Sequence, residues 1–359
     1  MVDKVKISSF QLALLIIGST LGSVTIFNPA SAAGADAWMV VILSLVSGIV
    51  LISIYSFISI LNPGKTLIDI LIDVFGKTTG KFIGILYLWY FIHLFSLAAG
   101  SFVDFSVSTI YITTPAAFIA IVFGILVVYR VKKGLEIIAR FSELVIPIMM
   151  LIIILLFFVL ISKYDVNNFL PVLEHGFKPV LKASFLMMTF PFGELVVYLM
   201  IFPHLNKQKN VIKIASISVV IAGLLLLLIT VSTLMVLGPI MLERVKYPTF
   251  ISAKFVPEIH MEVFTAINLI IGLAIMGSII IYAVSMGVSQ IFKLDDYKQF
   301  VTPITIIGYA LSFWIFDNSF DHDIWLKEVY PYYALPFQVI IPIFVLITSL
   351  IKNKMKFSK

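Results

Sequence analysis

Phe190-Pro191-Phe192-Gly193-Glu194 lies inside an otherwise apolar run, 180–202, and Gly18-Ser19-Thr20-Leu21-Gly22-Ser23 lies inside another, 10–27. Each stretch reads as an interruption of a membrane-spanning helix. Pro191 removes one helical hydrogen bond, and Gly193 tolerates non-helical backbone. A break in a bilayer leaves N–H and C=O groups without water, so it persists only where backbone is buried in protein or lines a polar cavity. Two interrupted helices at matching places in two halves of a chain are the sequence sign of a transporter-type binding site.

Working outward, the composition agrees. The chain has 359 residues, of which 61% are hydrophobic and 12% charged, against roughly 25% charged in soluble domains. The net charge of +6 does not point to nucleic acid, because the basic residues fall in short loops where membrane orientation accounts for them. With no cysteine, disulfides, thiol catalysis and thiolate metal sites are excluded. The histidines are His93, His175, His204, His260 and His322, and none stands four residues from another. No metal or cofactor is expected. The N-terminal apolar run reads as a retained first span rather than a cleaved leader.

Ten spans of roughly 20 residues are expected, near 8–29, 37–61, 82–109, 114–130, 136–161, 179–203, 211–238, 262–292, 298–316 and 333–351. Most of the 25 lysines and arginines fall on one side of this arrangement, including Lys4, Lys6, Lys77, Arg130, Lys207 and Lys352. That bias puts both termini in the cytoplasm. Leu67, Ile68, Leu71, Ile72 and Phe75 alternate with Asp69 and Asp73 at helical spacing, so 66–76 reads as a short amphipathic helix. A long outer connection, 241–260, occupies the matching place after span seven, and an acidic outer loop around Asp317, Asp321 and Asp323 follows span nine. The expected fold is therefore an all-α membrane protein of ten transmembrane helices. It is one domain over 1–359, a 5+5 inverted repeat of 7–161 and 178–351, with helices 1 and 6 broken.

Candidate site residues follow from the two breaks. Unwinding at 18–23 would leave N–H donors near Ser23 at a positive dipole end that favours a carboxylate. Gly22 would allow close approach, and Ser19, Thr20 and Ser23 would add hydroxyls. The competing reading is a small-residue packing face. Glu194 lies deep in a span, where an ionised carboxylate costs at least about 2.5–3.5 kcal/mol. It reads as a contact to a ligand ammonium or hydroxyl, as a protonatable coupling group, or as a hydrogen bond to unwound backbone. Phe190 and Phe192 wall an apolar pocket or pack the bundle. Asp104 is a second intramembrane acid, either protonatable or hydrated near the outer end. Arg140 and Glu143 share a helix face and read as a local ion pair. His93 reads as a satisfied core histidine. Ser278, Tyr282, Ser285 and Ser289 form one stripe on span eight, facing a cavity or bonding between helices. No nucleophile–base constellation or nucleotide loop is present, which disfavours an enzyme.

Ile7-Ser8-Ser9-Phe10-Gln11-Leu12, Asn28-Pro29, Ala33-Gly34-Ala35-Asp36-Ala37-Trp38, Pro191-Phe192-Gly193-Glu194 and Tyr247-Pro248-Thr249 together resemble the endospore germination permease family, the B subunit of bacterial germinant receptors. The resemblance covers essentially the whole chain. It implies the amino acid–polyamine–organocation superfamily, a leucine-transporter-like fold, and sensing of amino acids, sugars or nucleosides. It also implies work in the spore inner membrane beside a polytopic A subunit and a C-subunit lipoprotein. By that resemblance, ligand contacts map to Ser19, Thr20, Gly22 and 192–194. Proton-coupled members of the superfamily often use a lysine in span five, where this chain has Arg140 and no interior lysine. The expected function is a small-molecule receptor subunit on a transporter scaffold. The alternatives are a proton-coupled amino acid or polyamine transporter and a structural anchor.

Overall fold

A computed structural model of the protein describes residues 5–26, 28–316 and 318–357. Lys4, Asp317, and the side chains of Ser23 and of residues 354–357 lie outside what it describes. The chain is helical throughout: α1 (Ser9–Ile26), α2 (Ala37–Leu61), α3 (Leu67–Phe75), α4 (Lys77–Thr109), α5 (Ala116–Lys133), α6 (Leu135–Val159), α7 (Phe177–Met187), α8 (Val211–Arg244), α9 (Pro248–Ala253), α10 (Met261–Phe292), α11 (Lys298–Trp314), α12 (Ser319–Glu328), α13 (Tyr330–Leu335) and α14 (Ile341–Phe357).

Among the described residues, seven helical stretches are long and apolar enough to cross a membrane: Pro29–Leu61, Lys77–Thr109, Leu135–Lys163, Phe177–Met200, Gln208–Arg244, Met261–Phe292 and Tyr330–Asn353. The other three expected spans coincide with α1, α5 and α11, helices of 18, 18 and 17 residues. The outward faces carry large apolar side chains such as Phe118, Ile125, Leu144 and Trp314, as a surface bathed in hydrocarbon requires.

At the centre stands α10, buried along most of its length and packed against α1, α4, α5 and α6. Lipid tails are as apolar as leucine, so helices in a bilayer associate through close packing of small residues rather than by escape from water. Gly22 and Gly272 meet in this way. A Cβ on Gly22 would stand 2.7 Å from Gly272 Cα and from Gly272 O. One turn earlier, a Cβ on Gly18 would lie 2.5 Å from Ile146 Cδ1 of α6.

This contact corrects the reading of the first span. Through Gly18–Ser23, α1 is unbroken helix, and it ends only before Asn28, whose backbone is extended. The glycines admit neighbouring helices; they do not unwind their own. With the helical hydrogen bonds intact, no free N–H row exists at Ser23. The sixth segment is broken as expected: α7 gives way to a π turn, Met188–Phe192, and then to 3-10 turns, Gly193–Met200, with Phe190 in extended conformation (φ −135°, ψ 107°). The ring of Pro191 disfavours helical backbone at the preceding residue, which places the break at Phe190.

The amphipathic segment forms as read. Thr66 caps α3 in a reciprocal capping box with Asp69, and its apolar face packs on α4. Beyond it, α8 runs on to Arg244 across a kink at Gly238 (φ 71°), ahead of Pro239, and α9 fills part of the long connection.

Candidate functional site

The break in segment six frees main-chain groups, and side chains from distant helices satisfy them. Gln338 Nε2 donates to Thr189 O at 2.9 Å and to the Tyr90 hydroxyl at 2.7 Å. Tyr55 OH donates to Gln338 O at 2.7 Å and reaches Gly193 O at 3.4 Å. A second irregular turn supplies Gln338: a π turn, Pro336–Ile340, separates α13 from α14. Its carbonyl at Phe337 accepts from Tyr87 OH at 2.7 Å. Tyr330 OH lies 3.3 Å from Tyr90 OH and donates to Glu194 Oε1 at 3.2 Å. The break in segment six is thus stitched to this π turn by tyrosines and one amide, which is how non-helical backbone survives at membrane depth.

Glu194 is 4% exposed and sits on a small enclosed cavity. Ser19 of α1, Leu94 of α4, Pro191, Tyr198, and Met276 and Ile279 of α10 also line it. The cavity volume is about 10 Å³, room for one water, where ligand sites hold roughly 300–1,000 Å³. Ser19 Oγ lies 2.8 Å from Tyr198 OH, which ties α1 to the far side of the break. Any small-molecule occupant therefore requires α1 and segment six to move apart.

Of the residues expected at the site, Ser19 and Glu194 come together here. The others are placed elsewhere. Thr20 Oγ1 donates back to Ile16 O at 2.9 Å within α1, and Gly22 is held against Gly272. Phe192 is fully buried on Gly48 of α2, and Phe190 meets the Tyr330 ring edge-on at 6.2 Å. Ser278 donates to Ala274 O at 2.6 Å. Tyr282 OH lies 3.3 Å from His204 Nε2. Arg140 pairs with Glu136 at 2.6 Å rather than with Glu143, on an exposed face. His93 is buried against Trp325 and Tyr333. Tyr55, Tyr90, Tyr198, Tyr330 and Gln338 were not anticipated. The available signal was a lone amide, Gln338, two residues after Pro336 in an apolar run.

Gly193 packs so closely on the Gln338 carboxamide that a Cβ there would overlap it. Gly193→Ala is expected to displace the amide and lower the thermal transition of the purified protein by several degrees. Adding Gln338→Ala should recover part of that loss; a double variant no more stable than Gly193→Ala would contradict the contact.

Two further sets of contacts tie distant segments together. At one face, residues 5–7 run parallel to the end of segment six. Ile7 N donates to His204 O at 2.8 Å, Asn206 N donates to Ile7 O at 3.0 Å, and Lys6 Nζ caps Pro203 O at 3.1 Å. At the opposite face, Lys246 bridges Asp104 at 2.9 Å and Asp323 at 3.4 Å, joining α4, the α8–α9 connection and α12. Tyr247 OH donates to Asp104 Oδ2 at 2.5 Å, so Asp104 is a paired acid near the end of its helix. Burial, then the Asp104 bond, push the Tyr247 hydroxyl above its usual range. Burial alone would raise the Asp323 carboxyl, but the His322 hydrogen bond and the Lys246 charge more than offset it, and its pKa is lowered. A carboxylate depressed in the folded state stabilises fully above its unfolded value of about 3.9 and loses that contribution as pH falls below it. The thermal transition should therefore drop as pH falls below about 4, and less steeply in Asp323→Asn; parallel profiles would remove this role.

With this geometry in place, the comparisons are informative. The profile of the family described as spore germination protein matches residues 6–321. The chain belongs to the spore germination permease family. Spore germination protein KB of Bacillus subtilis (strain 168) is 32% identical over 98% of this permease and 96% of its own length. Spore germination protein YndE of the same organism is 27% identical over 86% of each chain, and spore germination protein XB of Bacillus anthracis is 25% identical over 88% of this permease. Among solved structures, Mhp1, a nucleobase-cation-symport-1 family transporter in a closed conformation with bromovinylhydantoin bound, superimposes with a TM-score of 0.67. That match spans 99% of the permease and 93% of Mhp1 at 13% identity, so the likeness is one of fold. The permease is a multi-pass integral membrane protein built on a transporter fold.

Proposed function

We propose that this permease is the ligand-binding subunit of a germinant receptor. An amino acid would bind between α1 and segment six, and the resulting rearrangement would pass to a polytopic A subunit and a C-subunit lipoprotein in the spore inner membrane, with both termini cytoplasmic. In this reading α1, α5 and α11 complete ten spans, and 7–161 and 178–351 form the two inverted halves. The observation that carries the proposal is Glu194, a carboxylate at a helix break that shares with Ser19 a closed cavity with room for one water. Opening the cavity would expose Glu194 and the main chain at Phe190 to the ammonium and carboxylate of the ligand. A ligand drives such a change only through a difference in affinity between the closed and opened forms.

Transport is the second reading, favoured by the fold of Mhp1. Against proton coupling stands Arg140, engaged by Glu136 on an exposed face of α6 and remote from the cavity lining. Purified permease in lipid nanodiscs should bind labelled amino acids saturably, and proteoliposomes should not accumulate them. Concentrative uptake would establish the transporter instead, and absence of both binding and uptake would leave the anchoring role.

A further inference from the structure

The helices α5 and α11 run antiparallel and enclose a groove of about 1010 Å³ that shares no lining residue with the Glu194 cavity. Small residues open it: Ala117, Ala120 and Gly124 on α5 face Thr305 and Ala310 on α11. A Cβ on Gly124 would lie 3.2 Å from the Tyr309 ring, so the glycine lets that ring form the floor. Ile121, Ile125 and Ile306 on the rims are more than half exposed. One end is strongly basic. Lys132 and Lys133 in the last turn of α5 and Lys298 in the first turn of α11 converge there, and all three line the groove. Among the described residues, no acidic side chain lines it.

One polar atom of the lining lacks a partner among the described residues: Tyr309 is 8% exposed and its hydroxyl makes no hydrogen bond, while Nε and Nη2 of Arg130, a residue outside the groove lining, are buried and also unmatched. The guanidinium rests over Phe141 at 5.0 Å and lies within electrostatic reach of Tyr309. Buried hydroxyls are normally satisfied, and this one in the groove floor calls for a partner from outside the chain. The apolar channel, the three ammonium groups at its mouth and the unmatched Tyr309 hydroxyl in its floor are complementary to one kind of molecule: a long hydrocarbon chain with a phosphate and ester oxygens at one end. Basic pockets between membrane helices bind anionic headgroups in this way.

We propose that the α5–α11 groove is a binding site for a single anionic glycerophospholipid, its acyl chain between the helices and its phosphate on Lys132, Lys133 and Lys298. The site is separate from the Glu194 cavity and does not depend on the receptor reading. A docked protein helix is the competing occupant, but it would leave the three lysines without counter-charge unless it carried acidic residues at that level.

The test is native mass spectrometry of the purified full chain from nanodiscs holding equal phosphatidylglycerol and phosphatidylcholine. One phosphatidylglycerol per chain should survive detergent exchange, with preference over phosphatidylcholine. The triple variant Lys132→Gln, Lys133→Gln, Lys298→Gln should weaken retention on the order of 100-fold. The lysines are exposed, so the variant is expected to stay monodisperse. Ala310→Phe, which fills the groove from an exposed position, should expel the lipid with the lysines intact. Equal retention of both lipids, no retention, or retention unchanged in both variants overturns the proposal. So does a photo-crosslinker at Ile125 that captures a polypeptide instead of lipid.

Discussion

Spores carrying Glu194→Gln should contain normal amounts of the permease and require at least about tenfold more germinant for half-maximal response. The substitution is nearly isosteric. A glutamine carbonyl can still accept from Tyr330 OH, which reaches Glu194 Oε1 at 3.2 Å, so the stitched break should survive and the thermal transition should move by only a few degrees. What is lost is the ability to carry charge at a position 4% exposed on the cavity wall. Hydrogen bonds to charged groups are worth about 1.5–3 kcal/mol, which corresponds to roughly 10–150-fold in affinity. Loss of optical density in a germinant titration reads the change directly. A response within twofold of the parent, at equal protein level, would remove Glu194 from ligand recognition.

Gly22→Val should have a larger effect on the protein itself. The obstruction it meets is main chain: the Cα and O of Gly272 lie 2.7 Å from where the new Cβ would stand. A clashing side chain can rotate away, but a helix backbone can only be pushed back as a whole. Overpacking a core commonly costs about 1–3 kcal/mol, and here the displaced contact is the crossing of α1 with the central helix. Gly22→Val should abolish most of the monodisperse peak in detergent size-exclusion chromatography, and Gly272→Val should behave alike, since its Cβ would meet Gly22. Yields and melting temperatures equal to the parent for both would show that the crossing is looser than described. Ligand response would separate packing from binding. Gly22→Ala protein that folds should keep its germinant sensitivity, because Gly22 faces α10 and not the cavity.

These two residues show how far the sequence could be read. The break at 190–193 was legible because proline and glycine sit together in an apolar run, and proline has one dominant effect on helical backbone. The stretch 18–23 misled because glycine serves two ends, loosening a helix and admitting a neighbour. The deciding partner, Gly272, lies 250 positions away and leaves no local mark. The amphipathic α3 announced itself through spacing and a capping box. The stitching of segment six by Tyr55, Tyr90, Tyr330 and Gln338 was hidden for the same reason as Gly272. Its members are scattered over three helices and the turn Pro336–Ile340, and aromatic residues are unremarked in a chain with 14 tyrosines and 31 phenylalanines. Arg140 was assigned the wrong carboxylate because i,i+3 and i,i+4 partners were both present, and sequence alone does not choose between Glu143 and Glu136.

The clasp between residues 5–7 and the end of segment six has a bearing on sensitivity. Its main-chain part consists of two backbone hydrogen bonds, and such bonds contribute only about 0.5–1.5 kcal/mol each when water competes for the same groups. Releasing both tilts the conformational ratio by roughly 5–150-fold. On the receptor reading proposed above, that is a threshold a weakly held nutrient could cross, and a fastening of about this strength would let a dormant cell wake on dilute food yet stay asleep without it.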